Sequence, residues 1–296
     1  MLIDKRISIV YFIGIIKWDL LAILVYSSMV GTLDHFAFFK EITIPLSLSA
    51  LLGTLLSLLL AFRTSQSYER WWEARTVWGA IVNDSRTLIR QLIEFLPNDE
   101  NKKNVLRSFA ERQTIWCFAL GESLRRLPFS TKVQQYCKAY QVAGQNLPNI
   151  LLNEHAYELS KVTETSGMNA NRQVQIDTTI QRLTDSMGRC ERIKTTVFPR
   201  SYSVLIHFLI YSLMTILPFG LEDNHATVEV ALVFFVPALF IAIERTAILM
   251  QDPFENKPND TAMTTIATTI ERNLAEMIGE PVPAPNTPTE ETFYIL

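Results

Sequence analysis

Cysteine, histidine and charge are all in short supply. The three cysteines, Cys117, Cys137 and Cys190, lie far apart with no C-x-x-C spacing. That excludes a disulfide framework and the usual zinc motifs, and leaves them as reduced, mostly buried thiols. The four histidines, His35, His155, His207 and His225, are scattered. There is no H-E-x-x-H, no G-x-S-x-G and no glycine-rich phosphate loop. No catalytic constellation, metal set or cofactor site is indicated, so an enzyme is not expected. Charged residues make up 19% of the chain, against roughly 25% in soluble domains. A net charge of −3 gives no basic footprint for nucleic acid.

What is abundant is apolar residue, 48% of 296, gathered in runs. A helix crosses the hydrocarbon core with about 20 apolar residues. Ile42–Phe62 meets this without a charge, and Tyr202–Leu221 does so with His207 inside it. That histidine reads first as a hydrogen-bonded structural group and second as a functional one. Val228–Ile243 is shorter, with Glu229 and Glu244 at its ends. Near the N-terminus, Ile7–Ile16 is apolar, Lys17 and Asp19 interrupt, and Leu20–Leu33 continues. The expected arrangement is a short interfacial segment before a span from about Lys17 to Leu33, since charges at a span end reach the headgroups. One long helix from near Ile7 is the alternative. Lys5 and Arg6 resemble the basic start of a signal peptide, but no small-x-small cleavage site follows.

Lysine and arginine set the orientation. Lys5, Arg6, Arg63, Arg70, Arg75, Arg192, Lys194, Arg200 and Arg245 flank one side of the four spans, while the loop Thr32–Glu41 holds only Lys40 and Glu222–Thr227 none. Both termini are therefore expected in the cytoplasm of a multi-pass inner (plasma) membrane protein. The organisation reads as 1–62 for the interfacial segment and first two spans, and 63–200 for a helical cytoplasmic domain. Residues 201–250 hold the third and fourth spans, 251–280 a cytoplasmic helical segment, and 281–296 a proline-rich tail. Within 63–200, Leu88–Leu96 shows helical spacing and stops at Pro97, and Val105–Leu124 stops before Pro128. Further helices are expected over Thr131–Ala143, Arg172–Ile193 and Asp260–Ile278. Val162–Asn171, with Gly167, reads as a loop. No proline falls between Gly53 and Glu94, so the second span should continue as one long helix into the cytoplasm.

On that span Ser47, Ala50, Thr54, Ser57 and Ala61 form a stripe of small residues. Such a stripe either lets helices pack closely or, repeated around a ring, lines a pore. Leu58 and Phe62 follow Thr54 at steps of four, drifting about 40° per step on a straight helix.

From Phe62 the sequence runs Phe62-Arg63-Thr64-Ser65-Gln66-Ser67-Tyr68-Glu69-Arg70-Trp71-Trp72-Glu73-Ala74-Arg75, then Trp78-Gly79. Cys190-Glu191-Arg192, Thr195-Thr196, Pro199 and Tyr202 form a second block. Asp252-Pro253-Phe254, Asn259-Asp260 and Ile270-Glu271-Arg272-Asn273-Leu274 form a third. In this order and spacing the blocks resemble the bestrophin family, particularly its bacterial branch. The resemblance implies an all-α membrane protein with four transmembrane helices per subunit and a large helical cytoplasmic domain, assembled as a pentameric barrel around one central pore. Its partners would be four further copies of itself, the lipid bilayer and the permeating monovalent ions, chloride or Na/K. The family's neck falls on Thr54, Leu58 and Phe62, where threonine departs from the usual aliphatic residue. Its cytoplasmic constriction falls near Asn171. Animal members bind calcium with an acidic run after Pro-Phe-Gly. Here Phe254 is followed by Glu255-Asn256-Lys257-Pro258, so calcium activation is not expected. A non-conducting membrane-anchored scaffold and a secondary transporter are the competing classes. The transporter lacks the paired broken spans such folds use.

Overall fold

A computed structural model of the chain describes residues 9–34, 44–221 and 226–284. Among these there are nine α-helices: α1 (Ile9–Asp34), α2 (Leu46–Phe95), α3 (Lys102–Leu124), α4 (Thr131–Tyr140), α5 (Leu147–Ser166), α6 (Ala170–Thr195), α7 (Arg200–Ile216), α8 (Ala226–Gln251) and α9 (Met263–Met277). A 3-10 turn, Pro218–Gly220, follows α7.

The described residues fall into two compact units. One takes Arg6–Arg70 with Val197–Gln251, and the other takes Trp71–Thr196 with the chain from Asp252. The first is the spanning unit, the second the polar-faced unit, and α2 contributes to both. Tyr11–Val30, the apolar part of α2 and Ala231–Gln251 are long and apolar enough to cross a membrane. With 17 residues, α7 is shorter, so three helices qualify among the described residues and α7 makes a fourth candidate only with help from its neighbours in the chain.

The 50 residues of α2 start after Pro45 and stop before Pro97, with no proline between. Proline lacks the N–H and clashes with the preceding turn, so its absence permits this length. Its second half feeds the core of the polar-faced unit. Trp78, Ile81, Leu88 and Leu92 are fully enclosed there, with Phe109 and Trp116 of α3, Leu151 of α5, Leu183 of α6 and Ile270 of α9. Each such side chain contributes about 1.5–3 kcal/mol by leaving water. In the spanning unit, Ile23, Leu56, Leu60, Ile206, Ile210, Met214 and Ile241 form a second core.

Local devices explain several helix ends. Asn146 accepts a bond from the Asn149 amide at 3.2 Å and Pro148 sits in the first turn, which starts α5. Gly167, with φ of +63°, ends it. Asn169 caps α6 through the Asn171 amide at 2.8 Å, and Arg192 and Lys194 lie in its last turn, where the helix dipole favours cations. Pro237 lies inside α8 and cannot donate to the Val233 carbonyl. The Ser27 hydroxyl of α1 donates to that carbonyl instead, at 3.2 Å, the kind of substitute partner that makes proline tolerable in a span. A Cβ on Gly220 would sit 3.2 Å from the Ile44 carbonyl oxygen. Glycine there lets the turn approach the start of α2, where the Ile44 amide donates to the Phe219 carbonyl at 3.1 Å.

Several expectations need correction. There is no break at Lys17: α1 runs unbroken through Lys17 and Asp19, because Asp19 is neutralised by Arg245 of α8 at 2.6 Å. The second helix begins at Leu46, after Pro45, and Ile42, where the span was expected to start, lies outside the described residues. The segment Val162–Asn171 is not one loop. A twentieth-residue stop at Ser166 closes α5, a helix the sequence patterning had not identified, so only residues 167–169 connect it to α6. The fourth span is longer than Val228–Ile243, since α8 reaches Gln251. The start of the N-terminal interfacial segment, His35, His225, most of the two inter-span loops and the tail from 285 lie outside the described residues.

Candidate pore-lining face and its ion pairs

On the spanning part of α2, Ser49, Leu56, Leu60, Arg63 and Ser67 are buried against the protomer's own helices. Their separations of seven, four, three and four define one stripe of a 3.6-residue helix. The opposite side is bare. Leu48, Leu51, Leu55, Leu58 and Phe62 are all exposed, Leu58 at 55% and Phe62 at 60%. Thr54 is exposed beside them, as are Ser47, Ala50, Ser57 and Ala61. Thr54, Leu58 and Phe62, the positions expected to form a neck, thus share the open side of the helix with the small-residue stripe. The Thr54 hydroxyl donates to the Ala50 carbonyl at 2.8 Å, and Ser57 does the same to Gly53 at 2.8 Å. With that proton turned inward, Thr54 offers outward a methyl group and an oxygen lone pair.

Behind this face lies a set of charges that the sequence patterning missed. Arg63 is 2% exposed and its Nη1 donates to Glu244 Oε1 of α8 at 2.7 Å. Its guanidinium lies 5.3 Å from the Phe198 ring centre, within cation–π range. Glu244, 0% exposed, also meets His207 of α7, Nε2 to Oε2 at 2.8 Å. Nearby, Arg245 donates to both Asp19 oxygens at 2.7 and 2.6 Å. Ionisable groups within spans are expensive and are paired. The available signal was that Asp19 and Glu244, inside apolar helices, have Arg245 and Arg63 to match them on others.

Several of the remaining signature residues make contacts inside the polar-faced unit. Trp71 donates from Nε1 to the Asn259 carbonyl at 2.7 Å. Trp78 is fully buried, Arg192 reaches Glu73 at 2.6 Å, and Asn146 donates to Glu191 at 3.1 Å. Trp72 is exposed, Arg75 and Gly79 are half-buried, and a Cβ on Gly79 would meet nothing. In the spanning unit Tyr68 is exposed and Arg70 half-buried, while the Pro199 carbonyl accepts from the Tyr202 amide at 3.1 Å. Asp252 accepts from Lys194 at 2.7 Å and from the Phe254 amide at 3.1 Å. Pro253 accepts from the Thr261 amide at 3.2 Å, and Phe254 is fully buried. Asp260 is enclosed in the same turn, and burial holds its carboxyl above the ordinary range. Asn171, the expected cytoplasmic constriction, is exposed in the first turn of α6 and belongs to the polar-faced unit. Among the described residues no three His, Cys, Asp or Glu side chains gather as a metal site. All three cysteines are free. Burial pushes the Cys117 and Cys190 thiols up to about 12, which keeps them unreactive.

A bundle of span-length helices with paired charges inside it and an unsatisfied apolar face on its second helix defines a helical membrane protein. The sequence matches the family described as "Bacterial/Fungal Bestrophin protein" over residues 9–276, and the chain belongs to that family. It is 31% identical over 246 residues to the voltage-dependent anion channel-forming protein of Ralstonia nicotianae, covering 81% of this chain and 80% of that one. It is 26% identical over 235 residues to the voltage-dependent anion channel-forming protein YneE of Escherichia coli K12, covering 78% and 76%. The crystal structure of a bacterial bestrophin homolog from Klebsiella pneumoniae superposes with a TM-score of 0.81 at 26% identity, covering 90% of this chain and 99% of that one.

Proposed function

We propose that this protein is an anion-conducting channel of the inner membrane, built as a homopentamer with both termini in the cytoplasm. The observation that carries this reading is the bare side of α2. An apolar face turned from its own core meets lipid, a second copy or a pore. On α2 that face also carries Thr54 and the small residues Ser47, Ala50, Ser57 and Ala61, a composition suited to close-packed copies or a pore wall. The relatives from Ralstonia and Escherichia are anion channel-forming proteins, which supports an anion as the permeating ion, and the bestrophin resemblance supports the fivefold ring.

In such a ring Thr54, Leu58 and Phe62 form three successive levels of the neck, and Asn171 a second constriction in the vestibule. An apolar ring strips water from an ion without offering ligands in return. Desolvating a charge is costly, so a short dry segment closes a pore by dewetting. Phe62 and Leu58 are therefore the barrier. Thr54 carries an oxygen and is the wettest level. A hydroxyl that rotates out of its bond to Ala50 can donate to a passing monovalent anion such as chloride.

The test is recording from purified protein in planar bilayers under asymmetric KCl. A reversal potential near that of chloride is expected, with native mass spectrometry showing five chains. A reversal potential near that of potassium would make the channel cationic. Silence in every lipid tried, or a monomer as the sole species, would favour the scaffold.

A further inference from the structure

We propose that Glu244 is a positioning residue for the neck: through Arg63 it sets the rotation of α2 and so keeps Phe62 on the open side of the helix. The inference rests on the channel reading above, and its test separates the two. Phe62 and Arg63 are consecutive, so their side chains leave α2 about 100° apart. Arg63 points into the protomer and Phe62 out of it. Whatever holds Arg63 therefore holds the direction of Phe62.

What holds Arg63 is little besides Glu244. Its Nη1 bonds that carboxylate at 2.7 Å, its flat face rests on Phe198, and its buried Nε finds no acceptor among the described residues. The other buried side chains of this stretch, Leu56 and Leu60, make contacts without direction and tolerate small rotations. One further tie to the backbone, Tyr202 Oη to the Leu59 carbonyl at 2.9 Å, fixes height more than rotation because it grips an atom near the helix axis. His207 Nε2 of α7 lies 2.8 Å from the second oxygen of Glu244 but outside hydrogen-bond geometry, so the directional bond of this carboxylate is the one to Arg63, and it joins α8 to α2. A buried charge-assisted bond is strong and directional, and leaving it exposes both partners to an uncompensated apolar surrounding.

The experiment measures how fast a water-soluble methanethiosulfonate modifies a thiol placed at position 62 or at position 60. Both reporters, Phe62→Cys and Leu60→Cys, are built with Cys137→Ser in oligomers shown to be intact. With Glu244 present, the thiol at 62 should react quickly and the one at 60 slowly. With Glu244→Gln, the rate at 62 should fall and the rate at 60 rise, each by about tenfold for the loss of one charged hydrogen bond. Should that variant fail to assemble, Glu244→Asp keeps the charge but draws it back by one methylene, and a smaller shift of the same sign is expected. Unchanged rates at both positions, in either variant, overturn the positioning role while leaving the neck reading intact. A thiol at 62 that is unreactive even beside native Glu244 overturns the neck reading, and the positioning role with it.

Discussion

The two units bury arginine in different ways. In the polar-faced unit Arg112 donates to the Tyr136 hydroxyl at 3.2 Å, the Glu154 carbonyl at 3.3 Å and Ser108 at 3.2 Å. It also pairs with Glu158, which keeps a fifth of its surface in solvent. In the spanning unit Arg63 has one fully enclosed carboxylate and a ring face. Where water and polar backbone are near, a charge spreads its bonds over several partners, and losing one is survivable. Among apolar helices there is little else to bond, so Arg63 and Arg245 each rest on one carboxylate, Glu244 and Asp19. The same division shows in apolar surface. The polar-faced unit encloses all of its described leucines but Leu127, whereas the spanning unit leaves Leu58 and Phe62 uncovered.

The largest effect should come from breaking the enclosed pair. Glu244→Ala strands the Arg63 charge and should cost about 3–5 kcal/mol, whereas Glu158→Ala should cost about 1–2 kcal/mol because Arg112 keeps other partners. Thermal unfolding in detergent measures both, and equal costs would erase the contrast. Next, Leu92→Ala in the closed core should cost about 2–5 kcal/mol. Leu58→Ala and Phe62→Ala should change stability by less than about 0.5 kcal/mol yet raise conductance, the double change more than either, with Thr54→Ala doing much less. Intact channels that conduct no better than wild type would move the pore wall to the stripe through Ser57 and Ala61.

A smaller effect concerns pH. His155 is fully buried, stacked on Phe109 at 5.2 Å between ring centres, and burial, then the Arg112 charge, hold its pKa well below the usual value. Below about pH 6.5 the unfolded histidine takes a proton that the folded one refuses. Stability of the polar-faced unit should therefore fall on acidification from that point, by up to about 1.4 kcal/mol per pH unit, until the folded pKa is reached. Hydrogen exchange of the α3 and α5 amides at stepped pH would show it, and His155→Phe should flatten the response. The smallest expected effect is none at all. Calcium and EGTA should leave currents unchanged, since Asp252 is held by Lys194 and Glu255 by Lys257. A large reversible response in bilayer recordings would reveal a calcium site elsewhere.

Much of the fold was legible because its signals are local. Pro97 and Pro128 mark the ends of helical stretches, and the lack of proline after Gly53 foretells the length of α2. The features that escaped depend on distant partners. The apolar positions of α5, Leu147, Leu151, Leu152 and Leu159, are diluted by His155, which counts as polar in a window but is buried against Phe109. Lys17 and Asp19 look like an interruption until Arg245 is brought to Asp19 from 226 residues away. Glu244 looked like the mark of a span end, and only the fold makes it the partner of Arg63.

By itself the sequence determined that this is a helical membrane protein of the bestrophin family, where most of its helices run, and that its second helix is continuous. These follow from hydropathy, helix breakers and residue blocks, all readable within a few turns of chain. Only the tertiary structure decided which side of α2 is enclosed, which charges neutralise one another, and that Thr54, Leu58 and Phe62 stand together on the uncovered side. An amphipathic pattern needs a polar face to reveal its orientation, and α2 within the span has none. Its small and large apolar stripes read alike until neighbouring helices cover one side and leave the other bare.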